Sequence, residues 1–79
     1  MSIDEILGII IDHTCTVIPS LKDHKFKKSD ALKDIGANSI DRSEIAMMTM
    51  ETLSLRIPLI EIAKAENIGD LASILHEKL

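Results

Sequence analysis

The 79-residue chain is shorter than most protein domains, so we expect a single domain over residues 1–79. Hydrophobic residues make up 46% of it, too large a share for intrinsic disorder. A net charge of -4 and a single aromatic residue, Phe26, argue against a nucleic-acid partner, which needs positive charge and stacking rings. So small a domain has little volume for a substrate cleft, and we expect no enzyme, no catalytic residue and no metal site.

The single cysteine and the first residues bear on the cellular compartment. Cys15 has no partner for an intramolecular disulfide, which favours the reducing cytoplasm. Unbroken apolar runs such as residues 9–11 are far shorter than the about 18 residues of a membrane span. Asp4 and Glu5 lie where a signal peptide would be basic. We therefore expect a cytoplasmic monomer with no membrane partner.

Apolar residues recur at helical spacing from residue 3 to residue 18, which predicts the first helix. Ser2, followed three residues later by Glu5, is a capping-box signature, and Pro19 ends the pattern. The stripe that should face the core contains Ile3, Ile6, Leu7, Ile10, Thr14, Val17 and Ile18.

A long loop is predicted between Pro19 and Asn38, where the periodicity disappears. Its segment 22–33 has five lysines and two aspartates, whereas the chain on either side is acidic. A loop of this length in so small a domain tends to be functional or to contain short helical turns. We interpret its charge as a solvated surface. The apolar residues expected to hold it to the core are Leu21, Phe26, Leu32 and Ile35.

Residues 39–55 predict the second helix, with Asn38 as its N-cap and Asp41 in its first turn. Two apolar stripes compete for the core on this helix. We expect the first to be buried and the second to be exposed, with Met47 and Met50 pointing outward. The first contains Ile45, Met48, Thr49 and Leu53, and the second contains Ala46, Met47 and Met50.

Two further helices complete the predicted fold. Pro58 can begin a short third helix over residues 59–65, and Asn67 caps a fourth that continues to the C-terminus. The apolar face of the fourth contains Ile68, Leu71, Ile74, Leu75 and Leu79. With no strand pattern, the sequence predicts an all-α four-helix bundle of three longer helices and a short third, with a long loop between the first two.

The segment 34–42 contains the candidate functional residue. A turn containing Gly36 brings Ser39 to the first position of the second helix. A serine at a helix start is usually a cap. Here Asn38 can be the cap, which leaves the Ser39 hydroxyl free. The backbone N–H groups and positive dipole of a helix N-terminus can stabilise a phosphodiester on that hydroxyl. The pattern therefore predicts a modification site at Ser39.

These features resemble the acyl carrier protein family over essentially the whole chain. The matching elements are the turn of residues 36–39, the Ile57-Pro58 dipeptide and the Gly69-Asp70 pair that opens the last helix. The resemblance implies that Ser39, flanked by Asn38, bears a 4′-phosphopantetheine arm, which makes the chain a phosphoprotein. It also implies that a phosphopantetheinyl transferase loads the arm from coenzyme A, and that acyl groups are carried as thioesters on its thiol.

A finer resemblance lies in residues 36–42, which are similar to the free-standing donor carrier proteins of polyketide β-branching cassettes. Members of that group present an acetyl unit to an enzyme resembling hydroxymethylglutaryl-CoA synthase. Most acyl carrier proteins have Asp before the serine and Leu after it, where this chain has Asn38 and Ile40. The resemblance implies a role in polyketide biosynthesis, with an acyltransferase and an HMG-CoA-synthase-like enzyme or a ketosynthase as partners.

The partner enzymes are expected to approach the exposed side of the second helix. The residues predicted to meet them are Ile40, Arg42, Ser43, Glu44, Met47 and Met50. Two alternatives stay open. The chain could carry malonyl, fatty-acid or aminoacyl groups, or it could be an unmodified helical adaptor that binds a partner helix through Met47 and Met50.

Overall fold

The computed structural model describes residues 1–79 and contains helices without any strand, which confirms the predicted all-α four-helix class. Its elements are α1 (Ile3–Val17), a 3-10 turn (Pro19–Leu21), a second 3-10 turn (Leu32–Ile35), α2 (Ser39–Thr52), α3 (Leu59–Ile62) and α4 (Ile68–Glu77). None of these helices has the length and apolar character that crossing a bilayer would require.

The predicted capping box begins α1. The Ser2 hydroxyl accepts a hydrogen bond from the Glu5 backbone N–H, and the Glu5 carboxylate accepts one from the Ser2 N–H, both at 3.1 Å. Together the backbone N–H and the hydroxyl of Ser2 hold the pKa of Glu5 below its ordinary value. The helix ends at Val17, just before Pro19, as predicted.

The core forms where α1 packs against both α2 and α4. Its largest cluster contains the buried hydrophobic residues Ile6, Ile10, Met50, Leu53, Ile57, Ile68, Leu71, Ala72 and Leu75. Thr14 and Thr49 are also fully buried. Their hydroxyls donate to the carbonyls four residues earlier, at 2.7 Å and 2.8 Å, so neither burial leaves a polar group unpaired.

The long loop contains the two 3-10 turns, which confirms the expected short helical turns. All four apolar residues of the loop are half-buried, but only Phe26 and Leu32 pack against the core cluster. The loop is therefore fixed to the helices at two apolar points.

Asp30 closes the basic part of the loop on itself. Its Oδ2 atom accepts a hydrogen bond from the Lys27 backbone N–H at 2.9 Å and lies 3.0 Å from Nε2 of His24. The Lys27 N–H, and to a smaller extent His24, lower the pKa of the Asp30 carboxyl. Residues 24–30 consequently form a closed turn.

The same turn caps helix α4. The Ile68 N–H donates to the Asp30 carbonyl and the Gly69 N–H donates to the Lys28 carbonyl, both at 2.9 Å. Asn67, the predicted N-cap, accepts from the Asp70 N–H at 2.7 Å. The first N–H groups of α4 thus have acceptors from its own cap and from a distant loop.

The sequence placed three boundaries wrongly. Helix α2 ends at Thr52 and not at residue 55, because Ser54 adopts a left-handed backbone (φ 56°). Helix α3 is a single turn instead of about two. Leu79, predicted on the apolar face of α4, lies beyond the end of that helix and is 55% exposed.

Candidate functional site at the start of helix α2

The start of α2 is held by a reciprocal pair of hydrogen bonds. The Asn38 side chain accepts from the Asp41 backbone N–H at 2.8 Å, and the Asp41 carboxylate accepts from the Asn38 N–H at 3.2 Å. Asn38 is extended (φ -77°, ψ 179°), so the helix begins at the next residue. The predicted cap and its first-turn partner are confirmed.

The turn before this cap is fixed by three features. Gly36 has φ +112°, a backbone conformation that a side chain would strain. Ala37 is only 2% exposed, and its N–H donates to the Leu32 carbonyl at 3.0 Å. Its own carbonyl accepts a hydrogen bond from Arg42 Nη1 at 2.8 Å. The turn is therefore anchored immediately before the chain emerges at Asn38.

Ser39 is exposed at the first position of the 14-residue helix α2, where the sequence placed it. Its hydroxyl makes no hydrogen bond within the chain, since Asn38 supplies the cap. The backbone N–H groups of Ser39 and Ile40 also have no acceptor in the chain. A free hydroxyl beside two free N–H donors at a helix N-terminus suits a phosphodiester in charge and in hydrogen bonding.

An open groove runs from Ser39 along α2. A first part of about 370 Å³ is lined by Ser39, Ile40, Ser43, Glu44 and Met47. Met47 also lines a second part of about 510 Å³, together with Met50, Glu51, Leu55, Arg56, Ile57 and Pro58. Ile40 is 75% exposed and Met47 is 52% exposed, so the groove begins with a mainly apolar edge beside Ser39. Four predicted docking residues, all except Arg42 and Met50, share its first part.

The prediction that Met50 is exposed is wrong. It is 9% exposed and belongs to the core cluster, and the neighbouring Ala46 is 4% exposed. Met48, predicted to be buried, is only half-buried. The buried arc of α2 therefore turns toward Met50 and away from Met48, because the helix packs against two neighbours at once. Met50 can reach the groove only as part of its floor.

Arg42, another residue predicted to meet the partner enzymes, is not freely exposed to solvent. It is half-buried, and its guanidinium is engaged by the Ala37 carbonyl. It forms no ion pair with a carboxylate.

Sequence reasoning did not single out the exposed apolar residues of α3. Leu59 is 47% exposed and Ile60 is 75% exposed. The sequence signal for this exposure was the short helix that begins after Pro58. A helix of one turn offers too little surface to bury all its apolar side chains. Their exposure extends the apolar surface beyond α2.

Comparisons with known proteins define the class of this chain. Residues 5–75 match the family model described as the phosphopantetheine attachment site, and the chain therefore belongs to that family of carrier proteins, whose cofactor is 4′-phosphopantetheine. The chain is 43% identical to the polyketide biosynthesis acyl-carrier-protein AcpK of Bacillus subtilis (strain 168) over all of its 79 residues and 96% of that protein.

A solved structure is similar over the same range. It is the crystal structure of the curacin biosynthetic pathway HMG synthase in complex with its acetyl donor acyl carrier protein. The likeness has a TM-score of 0.94 at 46% sequence identity and covers 99% of this chain and 100% of the other. The fold is therefore that of an acyl carrier protein, as the resemblance implied.

Proposed function

We propose that this chain is a polyketide acyl carrier protein that bears 4′-phosphopantetheine on Ser39 and presents an acetyl thioester to an HMG-synthase-like enzyme. The observation that carries the proposal is the exposed, unpaired Ser39 hydroxyl at the first position of α2, in a chain of the phosphopantetheine attachment family. The acetyl cargo and the synthase partner are supported by the structural relative, an acetyl donor bound to an HMG synthase.

The residues of this chain fit the arm. The Ser39 hydroxyl is the attachment point, and the N–H groups of Ser39 and Ile40 are free to donate to phosphate oxygens. When attached, the arm supplies a thiol that holds an acyl group as a thioester. The rigid turn at Gly36 and the Asn38–Asp41 cap fix the position from which the arm extends.

The chain itself contributes no catalytic side chain in this proposal. Its partners, a phosphopantetheinyl transferase, an acyltransferase and the synthase, provide the chemistry. A tethered thioester meets each of them at a high effective concentration, which free acetyl-CoA would not reach. The proposed role of the chain is therefore to carry the acyl group on a tethered arm from one enzyme to the next.

We assign partner docking to the first part of the groove along α2. Ile40 and Met47 offer exposed apolar surface beside Ser39, and Ser43 and Glu44 line the same part of the groove. Only one carboxylate lines this part of the groove. Recognition should therefore depend more on apolar contact than on charge steering.

Loading is tested by intact mass after incubation with coenzyme A, Mg²⁺ and a phosphopantetheinyl transferase. We expect the natural chain to gain one phosphopantetheine group and Ser39→Ala to gain none while keeping its helix content. The matched control is Ser73→Ala, which removes an exposed hydroxyl on α4, away from the docking groove, and should gain the group like the natural chain. A Ser39→Ala chain that still gains the group would overturn the assignment. A natural chain that is never loaded would favour the unmodified adaptor.

Docking is tested by acetyl transfer from loaded carriers to the curacin-pathway HMG synthase. Met47→Glu should slow transfer about tenfold or more, since it buries an unpaired carboxylate at the interface, while loading is affected less. Ser73→Glu places the same charge on an exposed position of α4 and should transfer at the natural rate. Equal rates for both variants would remove this groove as the docking surface.

A further inference from the structure

Arg42 is the one cation in the first turns of α2, and its position is fixed. Its Nη1 atom donates to the Ala37 carbonyl at 2.8 Å, and the residue is half-buried. No carboxylate pairs with it. The nearest acid in the sequence, Asp41, directs its Oδ2 atom to the Asn38 N–H. The charge of Arg42 is therefore held in place without an anionic partner.

The helix geometry makes Arg42 a neighbour of Ser39 on α2. Residues three apart on a helix are neighbours, with Cβ atoms about 5–6 Å apart. Helical side chains lean toward the N-terminus, and the contact with Ala37 shows that Arg42 reaches back past the level of Ser39. Arginine has five N–H donors, of which Ala37 occupies one. The remaining donors are free for an anion attached to Ser39.

We propose that Arg42 is a positioning residue that binds the phosphodiester joining the arm to Ser39, while its bond to Ala37 keeps it aligned. The proposal rests on the proposed attachment at Ser39. With the N–H groups of Ser39 and Ile40, Arg42 completes a set of donors around one phosphate. The base of the arm is then fixed on the side of α2 away from Glu44, which lines the groove.

The test compares apo and loaded forms of the natural chain, Arg42→Gln, Arg42→Lys and the control Lys64→Gln. Lys64 is exposed and forms no ion pair, so its variant removes one positive charge elsewhere. Loading should raise the melting temperature of the natural chain and of Lys64→Gln by a few degrees at low salt. The rise should be much smaller in Arg42→Gln, where only the backbone N–H groups still bind the phosphate, and intermediate in Arg42→Lys. The ³¹P resonance of the arm should also differ between the natural chain and Arg42→Gln.

A direct readout covers the case in which Arg42→Gln fails to fold. In the natural chain, the guanidinium proton resonances of Arg42 should shift when the arm is attached. Unchanged guanidinium resonances, or the same ³¹P shift and the same rise in melting temperature for all variants, would overturn the proposal. Absence of a mass gain on Ser39 would instead overturn the attachment itself, so the two failures are distinguishable.

Discussion

Two adjacent residues divide the work at the start of α2. Asn38 satisfies the Asp41 N–H and so begins the helix, which leaves the hydroxyl of Ser39 without a structural task. In many helices a serine at the start is itself the cap, and its hydroxyl is then occupied. Separating the cap from the exposed hydroxyl means that a group attached to Ser39 does not disrupt the helix start.

Met47 and Met50 are chemically identical but lie in different environments, which gives a residue-scale prediction. Met50→Ala should lower the free energy of unfolding by about 2–5 kcal/mol, because it leaves a cavity in the core cluster. Met47→Ala should cost less than about 1 kcal/mol, since the side chain is 52% exposed. Urea unfolding of both variants measures the difference. Equal losses would contradict the orientation of α2.

The end of α2 shows how an element can stop without glycine or proline. The Leu55 N–H donates to the Met50 carbonyl at 2.8 Å, and the Ser54 N–H donates to the Glu51 carbonyl at 3.1 Å. This is the Schellman arrangement, with Ser54 in the left-handed position where glycine is usual. The apolar residues at both ends of the longer bond, Met50 and Leu55, pack on the core and stabilise the turn.

Helix α4 depends at its N-terminus on the approach of a distant loop. A Cβ atom on Gly69 would lie 2.9 Å from the Lys28 carbonyl oxygen and 3.0 Å from the Lys28 Cβ. The same carbonyl accepts the Gly69 N–H. The contact between loop and helix therefore requires a glycine at this position for space, since no positive φ is involved.

Two glycine substitutions should change stability in opposite directions. Gly69→Ala should destabilise the chain by about 1–3 kcal/mol, because the added methyl group pushes the loop away from α4. Gly8→Ala, in the exposed middle of α1 with no atom within 4 Å of the new Cβ, should stabilise it by about 0.5–1 kcal/mol. Thermal or urea unfolding gives both values. A stable Gly69→Ala chain would mean that the loop does not rest on α4.

The molecule as a whole separates its charges. The loop between α1 and α2 has an excess of lysines, whereas the rest of the chain is acidic. Nζ of Lys28 lies 3.4 Å from the Asp4 carboxylate of α1. This pair is exposed and contributes little. The backbone bonds to α4 and the Asp30 contacts hold the loop instead, so its lysines lie on a fixed surface.

Acid should loosen this arrangement. The pKa values of Glu5 and Asp30 are both lowered by the N–H groups they accept from, so each carboxylate stabilises the fold at neutral pH. That contribution is lost as the pH falls below about 4, where the carboxylates become protonated. Asp30→Asn should therefore be less stable than the natural chain at pH 7, and the difference should shrink toward pH 3.

Urea unfolding over this pH range measures the effect. Lys25→Gln removes a neighbouring exposed charge and leaves the Asp30 carboxylate in place, so its difference from the natural chain should not follow the same course. A gap between the natural chain and Asp30→Asn that stays constant with pH would show that Asp30 does not couple the fold to protons.

Local sequence patterns by themselves determine the helix starts and the exposure of Ser39. The caps at Ser2, Asn38 and Asn67 and the break at Pro19 are decided by residues within three or four positions of one another. The exposed placement of Ser39 follows from the same local chemistry, while its attachment role stays a prediction. Helices α1 and α4 also orient themselves, because in each the apolar side chains lie mostly on one face, which only the core can cover.

Only the tertiary structure decided the direction of α2 and the path of the loop. The buried arc of α2, from Ile45 to Met50, spans about 140° at 100° per residue, and apolar side chains continue on both sides of it. The sequence therefore allowed several rotations, and contact with two neighbouring elements selected one. The loop is held to α4 by the carbonyls of Lys28 and Asp30. Every residue has a carbonyl, so no side-chain pattern could reveal which ones would serve.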